Sequence, residues 1–427
     1  MIAIIGAGVS GLATAFYLQK NNIPCQLFES SNRVGGCICT QTDGEYLMEN
    51  GPNSLLCDDA VWEILEETGL KEKVVYPNDV SKSRFILKKG KYRKLSPPAV
   101  LFSGFFSLKS KWATVTEPFN KSVGEENETV ANFFRRRFSE QIVQYAVNPF
   151  VSGIYAGDPE KLLIRFTFPA LFKLEKQYGS VLKGFFKKKE KAGRKTSVSF
   201  EGGMETIVKT IGKHLNIRLN TPIDTLEKAE NGYLINNEWQ ADKIIFTTPA
   251  HITAKIATSL VPNASVLNQL NYPPMCIIHS VFKEEENMFP LNGFGGLHPK
   301  VEGKFTAGSI WSSSLFEGRA PKDEIMLTTF VGGSLSADKT VLPDQEIMQN
   351  TTAELQALFN FKASPVKQNI FRWQKAIPQY DKNLISVESL IKEFESKQLY
   401  VNANWWGGVS VADCLRKGKQ LAASLSN

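Results

Sequence analysis

Long apolar runs are missing: the 427 residues contain no stretch of the ~18 uninterrupted apolar positions that a membrane-crossing helix needs. A secretion signal is missing too. The first apolar run, Met1 to Ile5, has no basic region before it and leads straight into a glycine turn. The chain is therefore expected to stay where it is made, in the cytoplasm. Metal-ligand spacing is absent as well. The six cysteines, at positions 25, 37, 39, 57, 276 and 414, include no Cys-x-x-Cys pair and have no histidine nearby. In an unexported chain of this size they read as reduced packing residues, which sets aside a zinc site and a disulfide framework.

Histidine is scarce. His214, His251, His279 and His298 are scattered, with no nucleophile or ligand partner beside them in sequence. None is expected to act as an acid or base, and packing or surface roles are expected for all four. Charge of one sign is in excess at one place only. The net charge is +7, and residues 173–195 alone hold nine Lys or Arg against two acids. The remainder is balanced, which argues against a broad nucleic-acid-binding face. Apolar content of 42% and charged content of 22% are ordinary for a globular chain long enough for two or three domains.

What is present begins at the first residue. Met1–Ile5 suits a buried parallel strand, and Gly6-Ala7-Gly8-Val9-Ser10-Gly11 follows it as a G-x-G-x-x-G turn. Val9, Leu12, Ala13, Phe16 and Tyr17 then recur at helical spacing, and a second strand, Cys25 to Phe28, ends at Glu29. Gly6 permits the tight turn, Gly8 lets backbone approach a pyrophosphate, and Gly11 allows close helix–strand packing. The helix N-terminus faces the phosphates, and Glu29 can accept hydrogen bonds from a ribose. This is a dinucleotide fingerprint, compatible with NAD or FAD. Directly after it, Ser30 to Gly36 makes a second glycine turn, in which Arg33 either holds a phosphate or fixes the loop. A third turn runs from Glu49 through Gly51, Pro52, Asn53 and Ser54. At the far end, a strand over 399–404 leads through Trp405-Trp406-Gly407-Gly408 into a helix carrying Leu415, Leu421 and Leu425.

This run of glycine turns resembles the flavin amine-oxidase superfamily. Five further segments, in family order, resemble its oxygen-dependent porphyrinogen oxidases, the protoporphyrinogen and coproporphyrinogen III oxidases. They are Asn148 to Pro159, Gly293 to Pro299, Ser312 to Phe316, Phe330 to Gly333 and Trp373 to Tyr380. The resemblance implies an α/β (α+β) fold of the amine-oxidase type. A discontinuous FAD-binding Rossmann-like domain (1–75, 200–260 and 395–427) would carry an inserted substrate domain (76–90 and 261–394) and a helical domain (91–199).

The resemblance also implies noncovalent FAD held by Gly6, Ala7, Gly8, Val9, Ser10, Gly11, Glu29, Ser30, Arg33, Gly36, Cys37, Gly51, Pro52, Asn53, Ser54, Ile223, Trp373, Val409, Ser410 and Val411. Leu297 and Phe316 would wall the substrate cavity, Gly153 would sit at the oxidised carbon, and Arg84 would bind a propionate. The implied reaction is the six-electron oxidation of a porphyrinogen to a porphyrin with molecular oxygen. Protoporphyrinogen IX is the expected substrate, with coproporphyrinogen III as the alternative and an amine oxidase or carotenoid desaturase further off. No catalytic acid or base is expected, because electron-rich pyrroles release a hydride readily and spread the charge that develops. A homodimer is a family expectation. Leu171, Leu174, Tyr178, Leu182 and Phe185 fall at helical spacing before Phe186-Lys187-Lys188-Lys189. Residues 171–195 are therefore read either as a basic surface docking on anionic lipid or as a packed helix with a solvated lysine loop.

Overall fold

The computed structural model describes residues 1–96, 102–187, 195–285 and 288–426. Its first layer is a parallel five-stranded sheet ordered Ile217–Arg218, Cys25–Phe28, Ile2–Ile5, Lys243–Phe246, Leu399–Val401. The central strands are apolar almost throughout because both faces are covered. Leu12, Leu27, Ile64, Ile207 and Leu415 pack on one side, and Phe28, Ile244, Ala254, Leu390 and Trp405 on the other. The C-terminal helix, Val411–Leu425, lies on the first helix, Val9–Lys20. Their axes approach closely at Gly418, where an added Cβ would stand 2.8 Å from the Ala13 Cβ.

The second layer is a seven-stranded sheet. Its order is Lys367–Trp373, Met275–Lys283, Glu324–Gly332, Gly308–Ile310, Gly295–Leu297, Arg84–Lys88, Lys91–Lys94. One face packs on the helix Asp344–Phe359 through Cys276, Ile278, Val331, Ile347, Leu327 and Leu355. Helices from the middle of the chain, including Val130–Arg137, Asn148–Tyr155 and Pro169–Tyr178, gather around Val130, Phe133, Val151 and Leu162.

Three segments differ from the sequence reading. A division between residues 90 and 91 cuts a hairpin: Arg84–Lys88 and Lys91–Lys94 pair antiparallel around a Lys89-Gly90 turn with positive φ at both positions. The strand Thr196–Phe200, expected at the end of the helical segment, pairs with Leu55–Cys57 and Val74–Val75 beside the first layer. The apolar periodicity over 171–185 is likewise two helices, broken at Gly179. Leu174 is buried there and Phe185 and Phe186 are exposed, while Lys188 and Lys189 lie outside the described residues.

Candidate functional site

Three glycine turns and the C-terminal helix converge at the carboxyl end of the parallel sheet. Gly6, at φ 107°, turns the chain out of the first strand, and its N–H donates to the Phe28 carbonyl at 2.8 Å. An added Cβ at Gly11 would lie 2.0 Å from the Gly6 carbonyl oxygen, so the close approach admits glycine alone. At Gly8 the same Cβ would meet nothing within 4 Å, and no side chain caps the helix that begins there. The N–H groups of the first helical turn are thus open to an anion, as a pyrophosphate requires. The second turn lies against the first, Gly8 bridging to Gly35 and the Gly35 N–H donating to the Ala7 carbonyl at 2.8 Å.

Arg33 resolves into one of its two expected roles. Its guanidinium donates to the carbonyls of Val34, Ile38 and Gly36 at 3.3, 3.2 and 2.8 Å, so it fixes the loop. One Glu29 oxygen accepts from the Ala7 N–H at 2.8 Å, and the other accepts from the Ser31 N–H and hydroxyl, with the Ser30 hydroxyl at 3.4 Å. Ile223 is buried with Phe28 and Ile5, just past a segment whose Thr221 N–H donates to the Glu29 carbonyl. Cys37 is accessible, and yet burial raises its thiol pKa against the opposing charge of Arg33. That combination marks a side chain facing a deep recess. Beside it, a Cβ at Gly51 would meet the Cys37 carbonyl oxygen at 2.1 Å.

The C-terminal turn closes the cradle. Asn402 donates to the Ser10 carbonyl (3.1 Å) and the Thr14 hydroxyl (2.8 Å). Ser410 caps the last helix in a reciprocal box with Asp413, between Val409 and Val411. Lys417 donates to the carbonyls of Ala403 (2.7 Å) and Gly408 (3.2 Å) and to that of Trp406. An open anion-binding helix start, an acid at the end of the second strand and glycine-lined walls fit the phosphates and ribose of a dinucleotide.

The second layer adds the other half of the site. Successive side chains alternate across a sheet, so the registers put Trp373, Met275, Ile277, His279, Phe330, Thr328, Ile310, Leu297 and Arg84 on one face. The contacts agree: Met275 and Ile277 cluster with Phe330, Trp373 and Ala156. The helix Asn148–Tyr155 lies over this face, and a Cβ at Gly153 would stand 2.6 Å from a Leu297 methyl. Trp373 Nε1 donates to the Asn50 carbonyl at 2.5 Å, tying the sheet to the third glycine turn.

Arg84 stands at the far edge of the face with its guanidinium 4.7 Å from the Phe294 ring centre. Among the described residues it has no carboxylate partner. It is accessible, although partial burial lowers its pKa, so it sits in a recess rather than on open surface. Phe316 is deeply enclosed. It is 2% exposed, with the Arg319 guanidinium 5.4 Å from its ring centre, and it lines a small cavity with Asn53, Ile310, Ser312 and Leu315.

Two groups at this junction have partners that the sequence reading did not identify. His279 is buried and hydrogen-bonded to Thr328 Oγ1 (3.1 Å) and Asn50 Oδ1 (3.2 Å). Burial, with Arg319 nearby, brings its pKa down to about 4, so it stands neutral. Arg319 and Glu49 form a buried ion pair at 2.9 Å. Glu49 opens the third glycine turn, but its pairing with Arg319 across 270 positions of sequence leaves no local signal. His298, also buried, bonds the Tyr92 hydroxyl (2.7 Å) on the opposite face of the sheet, away from the cradle.

Residues 9–426 match the family model of flavin containing amine oxidoreductases. The chain is 31% identical to protoporphyrinogen oxidase 2, chloroplastic/mitochondrial, of Arabidopsis thaliana over 471 residues, covering 99% of this chain and 92% of that protein. It is 26% identical to coproporphyrinogen III oxidase of Bacillus subtilis, covering 98% and 96%. A crystal structure from Exiguobacterium sp. 255-15 shares the fold at TM-score 0.82 and 21% identity, over 100% of this chain and 98% of that one. A family match over nearly the whole length, on a chain whose two ends close one dinucleotide cradle, makes the assignment: this protein belongs to the flavin-containing amine oxidoreductases.

Proposed function

We propose that the chain binds FAD noncovalently and oxidises a porphyrinogen to the porphyrin by six electrons with molecular oxygen, protoporphyrinogen IX being the substrate. The observation that carries this is the sheet face itself. An apolar wall holding Leu297 against Gly153 ends in Arg84, a cation without a carboxylate partner among the described residues. A flat apolar macrocycle with acidic side arms matches that arrangement, because a propionate entering an apolar cavity needs a cation. An amine substrate gives Arg84 no purpose. The names of the plant and bacterial relatives support the same substrate class.

Bound FAD would supply the two-electron acceptor and pass the electrons to oxygen. The protein's own part is positioning. Arg84 fixes one edge of the ring through a charge-assisted fork, and Leu297 and Gly153 define how close the ring can lie. The neutral His279 holds Asn50 and offers no charge to an oxidised ring. Exclusion of water falls to Ile277, Phe330 and Phe371. An aerobic assay of protoporphyrinogen IX, coproporphyrinogen III and a primary amine, followed by porphyrin fluorescence and peroxide, tests the reading. Porphyrin from the first substrate at the highest kcat/KM is expected; turnover of the amine alone would overturn it.

We also infer a peripheral contact with anionic membrane, formed by the helix Leu108–Thr116 together with the helix Val181–Lys187. No helix among the described residues is long and apolar enough to cross a membrane. The helix Leu108–Thr116, however, points its polar side inward, where Ser110 bonds Ser139 (2.9 Å) and Gln141 (3.1 Å). Leu108, Trp112, Val115 and the following Phe119 form the outer stripe, Trp112 being 72% exposed. Lys183 lies 5.7 Å from the Phe119 ring centre, bringing the second basic helix, with Phe185 and Phe186, beside that stripe. Aromatics flanked by lysines suit the interfacial zone of a negatively charged bilayer.

A further inference from the structure

Arg319 belongs to the loop after the short helix Ser312–Leu315, in the substrate-sheet half of the molecule. Its contacts reach into the other half. The guanidinium donates to Glu49 Oε1 at 2.9 Å and to the Ser199 hydroxyl, and its backbone carbonyl accepts from the Leu47 N–H at 3.1 Å. Glu49 in turn accepts from the Thr40 hydroxyl (2.7 Å) and the Met204 N–H (2.8 Å), and immediately precedes the Asn50–Ser54 turn. Both partners are nearly inaccessible, at 4% and 3%. Burial raises the Glu49 pKa, and Arg319 is the leading influence against it. On its other side the guanidinium backs the Phe316 ring, and the cavity lined by Asn53 and Phe316 is lined by Arg319 and Glu49 as well.

A buried ion pair is a poor way to gain stability, since an apolar pair of similar size often does as well. Its distinctive property is direction: a planar fork with two acceptors and a ring at its back has one orientation. We propose that Arg319 is a positioning residue that sets the spacing between the cofactor-side turn Glu49–Ser54 and Phe316 on the substrate side. The assignment rests on the flavin and porphyrinogen reading above. In that role Arg319 needs no contact with either reactant. It acts by holding both walls at one distance, so its loss should slow the chemical step more than it weakens binding.

The test compares Arg319→Lys, Arg319→Met and Glu49→Gln with the double variant Arg319→Met/Glu49→Gln, all as flavin-loaded protein. Either neutral single variant leaves an unpaired buried group and should lose thermal stability. The double variant should regain most of it. In the double variant kcat for the porphyrinogen should nonetheless fall at least tenfold, with KM within about threefold, and the visible circular dichroism of the bound flavin should change. Arg319→Lys, which keeps the charge but not the fork, should show the same split in milder form. A double variant with wild-type kcat and unaltered flavin dichroism would reduce the pair to a structural brace and overturn the proposal. If the double variant fails to fold, a folded Arg319→Lys with wild-type kcat and dichroism overturns it equally. Should the wild type oxidise no porphyrinogen, the substrate reading falls. The dichroism of the variants still decides the positioning role.

Discussion

Arg84 and His279 share one face of the same sheet and make opposite use of charge. Arg84 keeps its charge in a recess without an acid. A charged hydrogen bond to a substrate carboxylate contributes ~1.5–3 kcal/mol. Arg84→Ala should therefore keep fold and flavin but lower kcat/KM by about ten- to a hundredfold, more for a free-acid porphyrinogen than for its methyl esters. Equal losses with acid and ester would show that the propionate is held elsewhere. His279 gives up its charge. Burial sets its pKa at about 4 against 6.5 for an ordinary histidine, so between these values the unfolded chain takes up a proton that the folded one refuses. The stability contribution is whole above pH ~6.5 and is lost as pH falls toward 4, by up to about 3 kcal/mol. In His279→Gln, the fall of Tm across that window should flatten relative to wild type. Parallel curves would mean that another group titrates there. Motif position pointed to Arg84, whereas nothing local marked His279, whose setting arises only when strands from distant parts of the chain align.

At the scale of elements, periodicity was legible and direction was not. The sequence carries Leu108, Trp112, Val115 and Phe119 at helical spacing, the same pattern that elsewhere marks a buried stripe. Only the packing of Ser110 on Ser139 and Gln141 reveals that this stripe faces out. The stretch at 171–185 was open to two readings, a lipid-docking surface or a packed helix, and its side chains divide: Leu174 turns inward to the helical core while Phe185 and Phe186 stay out. Replacing Trp112 and Phe119 together with Asp should lower partition onto anionic vesicles at least tenfold, since each large apolar side chain withdrawn from water contributes about 1.5–3 kcal/mol. Turnover in detergent should be unaffected. Vesicle binding equal to wild type would sink the docking surface. The places of the glycine turns, by contrast, were legible, because close approach at Gly11 and Gly51 admits so few residues.

Over the whole molecule, a strand, a glycine turn and a helix were legible at each end of the chain, and the family resemblance is what joined them into one cradle. The seven-stranded sheet was recognisable only as scattered motifs, since its order follows from pairing across hundreds of residues. That arrangement also bears on how the protein comes into being. The strand Ile2–Ile5 is synthesised well before its neighbour Lys243–Phe246 and the edge strand Leu399–Val401. At ~5–20 residues per second, roughly 20 to 80 s separate the first strand from the last. Throughout that interval the nascent chain exposes an apolar parallel edge with no partner, a surface prone to misassociation. Cofactor loading must wait as well, since Asn402 and the final helix complete the walls of the cradle. The fold thus places cofactor loading after synthesis of the final helix, so a chain cut anywhere upstream of Val411 leaves the cradle open.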